Sequence, residues 1–235
     1  MLHAFSKGWK SEKAETRLKS IPRVREASAL VEMALKDPDA AVRHAATRAL
    51  KRDEDRERVA RQTCDESIAE ICSETLMDAQ RRIAVVLDER LSLARRTLFF
   101  HQSEFGSREL ETVFQGASCE SIRLKVSRGL SPDAATRLYS ETLTETLQIA
   151  LVERTADEDF ARRVAVASDL PRVREVAVSK IGDQQFLLKF AVAEVDPAVR
   201  FAAARGLRED WEIMELVRTE DHPGTRAQLA GLLQG

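Results

Sequence analysis

A 26-residue interval constrains this chain more than any other feature. The clearest copies are DAAVRHAATRAL at residues 39–50 and DPAVRFAAARGL at 196–207. Each has an aspartate, an apolar residue three positions later, an arginine, small residues, and leucine seven positions after the arginine. With the arginine as marker, Arg17, Arg43, Ala69 and Arg95 fall 26 residues apart, as do Arg174, Arg200 and Arg226. Arg123 and Gln148 fill the middle at slightly altered spacing, giving nine markers in 235 residues. A period of this size is the signature of a stacked repeat, in which one unit cannot bury its apolar face alone.

Within each copy the spacing is helical. The position before the marker is Val42, Ile68, Ile122, Leu147, Val173 or Val199 in six copies, and Leu50, Leu76, Leu130, Ile181 and Leu207 stand seven after the marker. Such positions share one helix face. Capping residues and prolines mark the starts, as in Asp196-Pro197, Asp169 shortly before Pro171, and Asp221-His222-Pro223. Second helical patterns lie between the marked ones, at 22–35, 104–114, 160–167, 186–195 and 211–217. Each unit therefore reads as a pair of short helices. Aromatic residues make up 5% of the chain and glycines number nine, which argues against a β protein.

The Asp-Pro-x-Val-Arg-x-Ala-Ala-x-x-Leu pattern resembles the second-helix signature of HEAT repeats, particularly the short bacterial form. That resemblance implies an all-α fold, a right-handed superhelix of about nine two-helix repeats. First helices would be convex, second helices concave, and Asp and Arg of neighbouring units would form a ladder. Sixteen or seventeen helices and a single solenoid domain over residues 1–235 are expected. Ala69, Gln148 and the stretch 98–106 depart from the pattern.

Chemistry-bearing constellations are absent from the sequence. His3, His44, His101 and His222 form no paired metal spacing, and Cys64, Cys72 and Cys119 form no C-x-x-C pair. No phosphate-binding or nucleophile-elbow motif occurs, and carboxylate pairs such as Glu66 and Glu70 are ordinary on helix surfaces. No cofactor, no metal and no enzymatic activity are expected. Without an apolar run long enough for a signal peptide or membrane span, a cytoplasmic chain making no membrane contact is expected.

Charge is sorted between the two helix classes. Second helices carry Arg43, Arg48, Lys51 and Arg52; Arg123, Lys125 and Arg128; and Arg200, Arg205 and Arg208. Residues 209–221 carry Glu209, Asp210, Glu212, Glu215, Glu220 and Asp221 against Arg218 alone. Arg43, Arg48, Arg123, Lys125, Arg128, Arg200, Arg205 and Arg208 are thus candidates for binding an acidic ligand, although one arginine per repeat also suits an inter-repeat ladder. Three phenylalanines at 99, 100 and 105, like Trp9 and Trp211, read as packing residues.

The expected function is a non-catalytic scaffold that binds another protein through its second-helix surface. The resemblance also admits a nucleic-acid-binding protein, including the DNA glycosylase type, and a bilin lyase-like protein. Few aromatics and a sequence pI near 6.2 disfavour the nucleic-acid reading. Leu229, Leu232 and Leu233 are too many for one narrow face of the last helix, so an apolar C-terminal edge capable of self-association is expected.

Overall fold

A computed structural model describes residues 8–233, which puts His3 outside the described residues. Among the described residues there are 17 α-helices, two short 3₁₀ turns at Gly8–Lys10 and Ile21–Arg23, and no strand. The chain divides into two compact units, Met1–Ala117 and Ser118–Gly235.

The first unit holds α1 (Ala14–Ser20), α2 (Ala27–Lys36), α3 (Ala40–Ala49), α4 (Asp53–Gln62), α5 (Glu66–Thr75), α6 (Ala79–Val86), α7 (Leu93–His101) and α8 (Ser107–Gly116). Every odd-numbered helix carries a marker. Each even helix packs on the odd helix that follows it in α2–α3, α4–α5 and α6–α7. The odd helices stack as α1–α3–α5–α7 and the even ones as α2–α4–α6–α8, so equivalent positions of successive repeats lie beside one another.

The second unit repeats this plan with α9 (Glu120–Ser127), α10 (Pro132–Leu138), α11 (Glu145–Arg154), α12 (Glu158–Ala167), α13 (Pro171–Val178), α14 (Gln184–Ala193), α15 (Pro197–Ala204), α16 (Asp210–Thr219) and α17 (Pro223–Leu232). Its marker helices α9, α11, α13, α15 and α17 stack in order, and α14 stacks on α16.

The helices form where local chemistry directs them. Asp39, Asp65, Asp78, Asp157, Asp183 and Asp196 each accept a backbone N–H from the first turn of the helix they precede, and Pro132, Pro171, Pro197 and Pro223 open helices from inside. Two expected caps are placed differently. Leu170 rather than Asp169 precedes α13 and makes no side-chain cap, while the His222 ring rather than Asp221 accepts the Thr225 N–H.

The residues before and seven after the marker form the cores: Val42, Leu50, Ile68 and Leu76 in the first unit, and Ile122, Leu130, Val173, Ile181, Val199 and Leu207 in the second. Around 98–106, Phe99 is buried and the Phe100 ring lies 5.8 Å from that of Phe105, so these rings fill the wider spacing. Cys72 is buried, and burial pushes its thiol up to about 12; Cys64 is exposed just ahead of α5.

The expected apolar C-terminal edge is narrowed to two half-buried leucines. Leu229 is only 2% exposed and belongs to the core of the second unit, with Leu232 and Leu233 partly buried against it. The solvent side of α17 presents Arg226, Ala227, Gln228 and Gly231. Small and polar side chains there leave little apolar surface to cover.

Candidate functional site

The marker arginines make a ladder within each unit. Arg200 donates from Nη1 to the carbonyls of Glu194 (3.1 Å) and Val195 (2.6 Å), and grips Glu220 with two bonds, Nε–Oε2 at 2.7 Å and Nη2–Oε1 at 2.6 Å. Arg174 does the same one repeat earlier, donating to the Ser168 carbonyl and bidentately to Glu194. Arg226 follows by donating to the Glu220 carbonyl. Glu194 and Glu220, at the ends of α14 and α16, therefore each serve two arginines, the carboxylate the preceding one and the carbonyl the next. That carbonyl belongs to a helix terminus and lacks an intrahelical partner, which explains why the site wants a donor.

In the first unit Arg17 pairs bidentately with Asp37, and Arg43 donates to the Asp37 carbonyl at 2.9 Å. The acid is missing one repeat on, where Thr63 stands, and Arg43 turns instead to Asp65, two residues later, at 2.8 Å. Hydrogen bonds from Ser67 and Arg43 hold the Asp65 carboxyl down at about 2. Arg200, aided by the backbone of His222, likewise lowers Glu220 against its burial.

This corrects part of the candidate set. Arg43 and Arg200 are engaged by loop carbonyls and carboxylates, which places them in the ladder. Arg48, Arg128, Arg205 and Arg208 are exposed, while Arg123 and Lys125 are half-buried. The positions equivalent to Arg48 and Arg128 on neighbouring marker helices hold Glu74 and Glu153, which breaks any continuous positive row within either unit. His44 Nε2 meets the Ser67 hydroxyl at 2.7 Å, but that hydroxyl donates to Asp65 at 2.6 Å and so extends the ladder. Among the described residues no group of three or more His, Cys, Asp or Glu is placed to hold a metal ion.

A surface missed in sequence lies on the first helices of the second unit. Trp211 is 61% exposed and Met214 54%, a correction to the expectation that Trp211 packs inside. Shifted by one 26-residue repeat, Trp211, Met214 and Arg218 coincide with Gln185, Leu188 and Val192, a spacing of three and four residues along one helix face. Because α14 and α16 stack, the shared solvent-facing stripe carries Val192, Trp211 and Met214, with Leu188 half-buried against the core and exposed Val195 beyond α14. Glu209, Asp210, Glu215 and Asp221 surround its α16 half and are exposed. The signal was present in the register: Asp159 and Gln185, equivalent to Trp211, are polar, so that position faces water.

Among the described residues no helix is long and apolar enough to cross a membrane. No family model and no curated protein matches this chain.

Proposed function

We propose that this protein is a non-catalytic helical-repeat scaffold of HEAT type that binds another protein. The observation that carries this reading is the exposure of Val192, Trp211 and Met214 on two stacked helices. Exposed large apolar residues gathered on one face, a tryptophan among them and charged residues around them, are the composition of an interaction hot spot. The leading contact is therefore assigned to first helices, with the second-helix surface in a subordinate role. The acids around the stripe suit a partner whose contacting segment is apolar with basic flanks.

Site-specific photo-crosslinking tests this directly. A crosslinking side chain at 211 or 214 should yield a discrete protein adduct that Val192→Glu weakens, whereas one at Val176, on marker helix α13, should yield none. Adducts from 176 alone would return the contact to the second helices and refute the assignment.

A further inference from the structure

The first unit contains a groove with the opposite chemistry. It runs along the edge where the α1–α2 connection meets the α3–α4 junction and encloses about 1230 Å³. Its rim holds three exposed cations, Arg25, Arg48 and Lys51, none of which makes a hydrogen bond or ion pair among the described residues. The other two basic residues on the groove are committed: Arg52 to Asp55, and Arg56 to Asp53 and the Leu50 carbonyl. Its floor is apolar, formed by Ile21, Leu30 and Leu50.

We propose that this groove binds an acidic peptide segment whose carboxylates meet Arg25, Arg48 and Lys51 while its apolar side chains settle on the floor. Three features select that occupant. The groove exceeds the roughly 300–1,000 Å³ usual for small-molecule sites, which suits several residues of extended chain. Uncommitted cations outnumber the one uncommitted acid, Glu26, so the field favours negative charge. No aromatic side chain lines the groove, so nucleic-acid bases would find nothing to stack on. This site is separate from the Trp211 stripe, and either can hold without the other.

Fluorescence anisotropy on the full chain provides the test, with a fluorescein-labelled peptide of alternating glutamate and leucine as probe. Binding should weaken with salt and fall tenfold or more in the double variant Arg48→Glu, Lys51→Glu, while Arg205→Glu leaves it unchanged. Circular dichroism checks that the variants keep their helix content. A lysine–leucine peptide should not bind. Equal affinity in the double variant, or no binding of the acidic probe at millimolar concentration, overturns the proposal. Tighter binding of labelled oligothymidylate, lost in the same variant, would replace it with a nucleic-acid site.

Discussion

Two rungs of the second unit hold the same place in the repeat with different chemistry. At Arg200 a guanidinium donates to the Glu194 and Val195 carbonyls and also pairs with Glu220. At the equivalent Gln148 an amide, 3% exposed, donates to the Glu141 carbonyl at 3.2 Å and the Leu143 carbonyl at 2.9 Å, and accepts from the Tyr139 hydroxyl. The ion pair is gone, yet the two donations into the preceding loop remain. What the position requires is a donor for carbonyls that end a helix or turn, and the inter-repeat ion pair is an addition to that requirement.

The comparison breaks most readily at Arg200. Arg200→Ala removes both functions and strands Glu220, whose side chain is only 4% exposed. Leaving one member of a buried pair uncompensated costs about 3 kcal/mol, so urea unfolding followed by circular dichroism should show a loss of that order. Adding Glu220→Gln should recover part of it. A loss no larger than at Gln148 would show that the ion pair contributes nothing. The second test is Gln148→Leu, which keeps bulk but leaves two carbonyls without their donor and takes from the Tyr139 hydroxyl its acceptor; about 2 kcal/mol is expected. If Gln148→Leu is neutral, the carbonyl-capping account fails.

The markers, the paired helices and the core positions were legible because each rests on a local rule: 3.6-residue periodicity, capping, and proline at a helix start. The ladder was legible as a pattern of arginines, but its acids were not. Asp37, Glu194 and Glu220 end first helices, and only the stacking of one repeat on the next brings them to an arginine 20 residues earlier. The loop partners of Arg43 and Arg200 were hidden for the same reason, since they come from elsewhere in the sequence. Trp211 was misread because hydrophobicity suggests burial, whereas its register assigns it to the side facing water. The groove around Arg48 was invisible because it exists only where two inter-helix connections converge.

The two kinds of rung should also part with pH. Asp65, held at about 2 by Ser67 and Arg43, lies below the roughly 3.9 of an unfolded aspartate. Its contribution is therefore fully present above about pH 4 and is lost as pH falls toward 2. Since Asp65 is 28% exposed, screening reduces that contribution to about 1 kcal/mol. The destabilisation caused by Arg43→Met should shrink over this window when measured by urea unfolding. That of Gln148→Leu, which involves no titrating partner, should stay constant across it.

The smallest effect belongs to the rung with no donor of its own. Ala69 occupies a marker position, and the carbonyl six residues before it, which an arginine there would serve, is that of Thr63. That carbonyl is not orphaned, because Arg95, the marker of the following repeat, reaches back from Nη1 to Thr63 at 2.6 Å. One arginine thus stands in for its missing neighbour. Arg95→Ala should then cost about 1 kcal/mol, the net value of one ordinary hydrogen bond to a part-buried carbonyl. Ala69→Arg should gain little in the native background, where the acceptor is already occupied, but should restore most of the loss once Arg95 is alanine. A double-mutant cycle measures this coupling. If the two substitutions are additive, Arg95 and an arginine at 69 do not compete for the Thr63 carbonyl, and a requirement for carbonyl donors would not explain how the ladder tolerates alanine.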